Sequence, residues 1–240
     1  MASWIVHLRI AENLIASMPA LNPVLFGIGN IAPDSGIPDA TWENFNPPPA
    51  VTHFENPHSQ VYRSGDLAFY RQYLQPSLTL IDDPDRFSFL FGYFAHLVTD
   101  NLWSLRIGRP THTRYQSQFE ADPKFIWEVK KDWYGLDFIY VRDHPDCLFW
   151  RIFIHCSYDR RDLDFLPVEA LQQRIAYIQD YYQSKGPEVE AAYQRPYIYL
   201  SKEQMDQFVS EASAIIEAIY HNLWIAALPL QVKESTLELV

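Results

Sequence analysis

The sequence predicts an all-α fold, a multi-helix bundle interrupted by one long proline-rich loop, and three features predict it. Only eight glycines occur in 240 residues, too few for a turn-rich β architecture. Apolar residues make up 48% of the chain and recur at three- and four-residue spacing over stretches long enough for helices. Several of those stretches open on a capping side chain or on a proline at the first helical position.

In chain order, Ile5, Leu8, Ala11, Leu14 and Ile15 share the helical period over residues 4–18, ahead of Pro19, with His7 in the first turn. Asn22 and Pro23 read as a cap and first position of a short second helix that gives out by Asn30 to Pro33. From Asp34 to Pro57, prolines and polar residues, Pro47, Pro48 and Pro49 among them, forbid a regular element over most of the length. A loop of that size inside a compact domain is usually functional or mobile. Further helices are expected over about 64–75, 84–105 (opened by Asp83 and Pro84), 122–134, 144–156, 167–183 and 201–225. The last is announced by Ser201 with Gln204 three residues on, a capping box. Gln183 to Tyr199, with Gly186, Pro187 and Pro196, reads as a connector. The final helix carries Phe208, Ala212, Ile215, Ile216, Ile219 and Leu223 on one face, which suits packing on the same body, so residues 1–240 are expected to form one domain.

A formal net charge of −11 opposes unspecific binding to duplex nucleic acid or to an anionic membrane, both of which need a basic surface. It also favours a zwitterionic or small soluble substrate over a polyanion. Cys147 and Cys156, the two cysteines, lie in no Cys-x-x-Cys spacing and are expected to be reduced. No leader pattern and no uncharged apolar run of membrane-spanning length is visible, so a soluble, cytoplasmic protein is the expectation. No feature of the sequence specifies an oligomeric state.

The chemistry concentrates in the run from Phe87 to Trp103, apolar around nearly its whole circumference and thus expected to be buried on all sides. His96 and Asp100 sit four residues apart in it, which puts imidazole and carboxylate on one face, one turn apart. Gly92, one turn before the histidine, leaves room for another group to approach the backbone. An unpaired carboxylate there would cost several kcal/mol, so it is compensated either by a hydrogen bond within a core His–Asp pair or by a metal ion. His7, Asp34 and His53 supply three further groups of the kind zinc and related ions prefer. Helical phosphohydrolases built on an adjacent His-Asp pair are a poor match, because no such dipeptide occurs.

Four short motifs in order carry a resemblance: a first-helix His7, Ala32-x-Asp34 closing the second helix, Thr52-His53-Phe54 before the next, and Gly92-x-x-x-His96-x-x-x-Asp100 on a hydrophobic helix. Over roughly residues 4–103 the chain resembles the zinc-dependent phospholipase C family, whose fold is shared by single-strand-specific nucleases. The resemblance implies that Asp34, His53 and His96 hold one zinc ion, that Asp100 bridges to a second, and that His7 binds that second ion. It also implies Asp34 and Asp100 as catalytic residues acting on a small-molecule or lipid phosphodiester. The chain departs from the family at its third ion: Arg106 stands where a further histidine is usual, and no His-x-x-x-Glu occurs. Two ions are therefore expected, with His112 or Asp132, four residues from Glu128, as substitute third-site ligands. The family's N-terminal tryptophan ligand is not reproduced, since Trp4 lies inside the chain. Trp42 and Phe45 are candidates for a substrate-cleft wall, although large aromatics in loops commonly plug the edge of a core. Set against a metal-dependent phosphoesterase stand a non-catalytic, metal-stabilised binding protein and a metal hydrolase of another ester or amide bond.

Overall fold

The computed structural model describes residues 1–41, 43–75, 83–227 and 229–240, so Trp42 lies outside the described residues. It opens with α1 (Trp4–Ser17), and α2 (Pro23–Gly29) follows, its first turn capped by the Asn22 carboxamide, which accepts from the Val24 and Leu25 amides. A single 3₁₀ turn (Ala32–Asp34) ends at Asp34. The proline-rich loop is irregular except for a two-residue antiparallel ladder, β1 (Ile37–Pro38) with β2 (Phe45–Asn46), and one helical turn, α3 (Pro49–Thr52). Next, α4 (Asp66–Phe69) runs on through a wider turn in which the Gln75 amide reaches Tyr70 O at 2.8 Å. The central α5 (Pro84–Trp103) starts as expected, with the Asp83 carboxylate accepting from the Arg86 amide and Pro84 at the first position. Every residue from Phe87 to Trp103 is buried.

The later chain differs more from the sequence expectation. Beyond α5 it stays helical in α6 (Arg109–Arg114) and α7 (Gln116–Ala121), and α8 (Phe125–Asp143) runs nine residues past the expected end. Gly135 does not stop α8 because tertiary packing claims the missing side chain: a Cβ there would meet the Tyr197 hydroxyl at 2.7 Å. The helix expected over 144–156 is instead one turn, α9 (Leu148–Arg151), followed by a 3₁₀ turn. Gln179 explains the break, since its side-chain amide takes the Phe153 and Cys156 carbonyls at 2.9 and 3.0 Å. α10 (Val168–Gln183) matches. The connector contains α11 (Pro187–Gln194), for which Gly186 and Pro187 are a start rather than a break. α12 (Lys202–Tyr220) has the full capping box of Ser201 with Gln204. Buried apolar side chains from Ala2 to Leu223 form one continuous cluster around α5.

Two glycines decide how α2 meets α5. A Cβ on Gly29 would collide with the Phe89 carbonyl, and one on Gly92 with the Phe26 carbonyl, so the two backbones touch. This close approach delivers Asn30, at the end of α2, to the histidine on α5.

Candidate metal centre

His7 projects from α1, Asp34 from the 3₁₀ turn after α2, His53 from the end of α3, and His96 and Asp100 from α5, and all five converge. His7 and His96 are fully buried, and Asp100 and His53 nearly so. The His53 Nε2 atom lies 3.4 Å from Asp100 Oδ2 and 3.5 Å from Asp34 Oδ1. His96 Nε2 lies 3.4 Å from His53 Nε2, 3.6 Å from Asp100 Oδ2 and 3.9 Å from Asp34 Oδ1. On the other side of Asp100, Oδ1 is 3.5 Å from His7 Nε2. The rings of His7 and His96 stack 3.8 Å apart and 6° from parallel. Two groups of three thus form around His96, one with Asp34 and His53 and one with His7 and Asp100.

These separations are long for hydrogen bonds, which run at about 2.7–3.2 Å. They match the edges of a coordination tetrahedron: donors bonded at about 2.0–2.1 Å lie roughly 3.4 Å apart. Both ring nitrogens of His7 and the Oδ2 atom of Asp100 are buried without a hydrogen-bond partner from the protein. The donor set and its orphaned atoms therefore fit a divalent ion such as zinc.

The surroundings fix ligand orientation. His96 donates its Nδ1 proton to Asn30 O at 2.8 Å, and His53 Nδ1 lies 3.1 Å from both Pro49 O and Thr52 Oγ1. In both rings Nε2 is left free to face the cluster, the arrangement typical of ligating histidine. Trp4 donates its indole N–H to Asp34 Oδ2 at 2.9 Å, and the Ala2 amide donates to Asp100 Oδ1 at 2.9 Å. Burial, reinforced by the neighbouring His96, pushes His7 down to about 4, so it is a neutral imidazole with a lone pair to give. Burial opposes ionisation of Asp34 and Asp100. The nearby histidines, and for Asp100 the positive amino terminus as well, outweigh it and hold both below the usual carboxylate range. His53 moves the other way, to about 9: burial would lower it, but the adjacent Asp100 and Asp34 carboxylates prevail.

Asp34 and His53 form the floor of a cleft of about 470 Å³, walled by Phe45, Pro47, Trp127, Trp133 and Tyr134. Phe45 thus stands on the cleft. The other sequence candidates are elsewhere. His112 is exposed and stacks on Phe119, 4.6 Å between centroids. Asp132 is buried, but its Oδ2 accepts the Ile198, Tyr199 and Leu200 amides at 2.9, 2.7 and 3.3 Å, while Oδ1 pairs with Arg195 at 3.0 Å. Those contacts fasten the chain before α12 to α8 and leave Asp132 outside both groups that could hold a metal. Arg106 is exposed on the turn after α5.

Sequence reasoning missed Trp4 as a partner of Asp34. The available signal was its position three residues before His7, on the same helix face.

A mostly helical scaffold thus gathers three histidines and two aspartates that could hold a metal ion, and two of them, Asp34 and His53, line an aromatic cleft. The family model described as zinc dependent phospholipase C matches residues 6–161, and the chain belongs to that family. The match takes in all five residues of the cluster and continues past Trp103, where legible motifs stop. No curated protein matches the chain, and no solved structure does.

Proposed function

We propose that this protein is a phosphodiesterase of the phospholipase C type with a dinuclear zinc site. Asp34, His53 and His96 would hold one ion and His7 a second, with Asp100 placed to serve both. The observation that carries the reading is the set of donor separations, 3.4–3.6 Å among His53 Nε2, His96 Nε2 and Asp100 Oδ2, supported by membership of a zinc-dependent family. Paired divalent ions supply Lewis acidity to a phosphate ester and make water nucleophilic near neutral pH.

The chain's own groups do the rest. Asp100 turns one oxygen toward His7 and the other toward His53 and His96, so a single carboxylate serves both positions. Asp34 stays ionised at neutral pH and stands at the cleft edge, where it orients the attacking water and accepts its proton. Trp4 keeps that carboxylate from turning by holding Oδ2. The aromatic walls exclude water and receive an acyl chain, and the substrate is a lipid or small-molecule phosphodiester.

The test is elemental analysis of protein purified without added metal, beside hydrolysis of bis(p-nitrophenyl) phosphate and a lipid diester with and without chelator. About two zinc ions per chain with chelator-sensitive hydrolysis are expected. Firm zinc binding with no hydrolysis of any diester would favour a metal-stabilised binding protein instead, and cleavage of carboxylic esters or amides alone would favour a different hydrolase.

A further inference from the structure

Two cations line the cleft without a direct ion pair among the described residues. Lys130 from α8 and Arg174 from α10 line it together with Asp34 and His53. Lys130 Nζ lies 4.8 Å from the centre of the Trp127 ring, and the Arg174 guanidinium carbon lies 5.5 Å from that of Trp4 and 5.7 Å from that of Tyr177. These aromatic contacts hold the side chains in place without neutralising them. Among the described residues Lys130 and Arg174 form no ion pair, and Arg174 Nε is buried without a hydrogen-bond partner. In a chain with 30 acidic and 19 basic residues, a cleft lined by two cations and fewer carboxylates is a local reversal of sign. Among the described residues Asp34 is the cleft's one lining carboxylate, and it is one of the candidate metal ligands.

We propose that Lys130 and Arg174 form an anion subsite beside the metal centre, which receives a second phosphate or a carboxylate carried by the substrate. The substrates are then phosphodiesters with an extra negative charge, not the zwitterionic ones that the acidic composition suggests. Arg174 offers a planar fork that matches two oxygens at once, and Lys130 a point charge. The inference rests on the phosphodiesterase reading only for what the metal centre itself holds.

The experiment uses the full zinc-loaded chain and has a binding arm and a turnover arm. By calorimetry, 2-phosphoglycolate, which adds a carboxylate to a phosphate, is expected to bind at least tenfold more tightly than ethyl phosphate, and phosphocholine no more tightly. The double variant K130Q/R174Q erases that advantage, whereas K130R/R174K, which keeps both charges, retains most of it and guards against a folding artefact. In the turnover arm, short-chain phosphatidylserine and phosphatidylinositol 4-phosphate separate a carboxylate from a phosphate as the second anion, against short-chain phosphatidylcholine. A kcat/KM ratio of at least ten in favour of either anionic lipid, falling to about one in K130Q/R174Q, supports the subsite. Equal binding of the three small ligands, a preference for phosphocholine, or an anion preference that survives K130Q/R174Q overturns it. If no diester is cut while the binding preference holds, the subsite stands and the hydrolytic reading falls. If diesters are cut without any such preference, the subsite alone falls.

Discussion

Replacing Gly92 with alanine tests how the metal centre depends on a contact between two helix backbones. A methyl at Gly92 would overlap the Phe26 carbonyl and stand 3.0 Å from Asn30 N and 3.2 Å from Gly29 C. All three are backbone atoms of α2 or its cap, and none can rotate away. Restoring ordinary contact pushes α2 back by about 1 Å, a large shift in a close-packed interior. Overpacking of this kind costs about 1–3 kcal/mol. For a chain of this length that is a fall in Tm of about 3–10 °C. The displaced segment includes Asn30 O, the 2.8 Å acceptor that sets the orientation of His96. Loss of such a supporting partner typically costs about 10–100-fold in metal affinity. Gly27→Ala is the control, on the same helix, because a Cβ there meets only Leu148 Cδ2 at 3.9 Å. Alanine should be neutral or up to about 1 kcal/mol stabilising at that position. The assay is thermal unfolding of both variants with and without zinc, followed by competition titration against a chromogenic zinc chelator. If Gly92→Ala melts within a degree of Gly27→Ala and binds zinc as tightly as wild type, the glycine contact does not hold the site together and the reasoning is wrong.

Asp100→Asn should cost at least one zinc ion per chain and drop hydrolysis below a hundredth of wild type; full zinc occupancy with unchanged turnover, measured on the same preparation, would refute the bridging role. Stripping zinc with chelator should lower Tm, because an ion held at a hundred times its Kd stabilises by about 2.7 kcal/mol, or about 5–10 °C here; an unchanged melt on verified removal would contradict a buried metal centre. Asp137, which accepts from Ser3 Oγ at 2.7 Å and Tyr182 OH at 2.6 Å, is raised by burial to about 7. Its neutral form is the favoured one in the fold, so its contribution to stability is complete below about pH 4 and is lost as pH rises to about 7. Between those limits wild type should lose about 1.4 kcal/mol per pH unit more than Asp137→Asn, read from denaturant melts; parallel pH profiles would show that Asp137 does not titrate in the fold.

What the sequence made legible was whatever depends on local pattern. α5 and α12 could be read at their starts because Asp83–Pro84 and Ser201 with Gln204 act within one turn. The cluster could be read because His96 and Asp100 are fixed by helix geometry alone, and because Ala32-x-Asp34 and Thr52-His53-Phe54 sit at element ends that the prolines mark. What stayed hidden depends on tertiary contact. Asn30 supports His96 through its backbone carbonyl, and Ala2 serves Asp100 through its amide, so neither side chain carries a signal. α8 passes through Gly135 because Tyr197, 62 positions along, fills the space. Lys130 and Arg174 come from helices separated in sequence by the whole stretch around α9 and meet only in the folded cleft.

The contrast among buried aspartates favours a metal over a hydrogen-bonded core pair for His96 and Asp100. This fold neutralises buried carboxylates with its own groups wherever it needs them for structure. Asp66 accepts from Ser235 Oγ at 2.6 Å, the Thr236 amide at 3.0 Å and Asn101 Nδ2 at 3.1 Å. Asp132 takes three successive amides and an arginine, and Asp137 takes two hydroxyls. Asp100 receives one amide on Oδ1, and Oδ2 receives nothing, though two imidazole nitrogens stand 3.4 and 3.6 Å away. If those imidazoles were there to satisfy the carboxylate, one closer approach would make a charge-assisted bond worth roughly twice a neutral one. The rings instead hold back at a common distance around a shared point, and His7 keeps both its nitrogens unpartnered in the same place. Buried polar groups left so consistently short of bonding are arranged around something the polypeptide does not itself provide. A divalent cation meets all of their requirements at once.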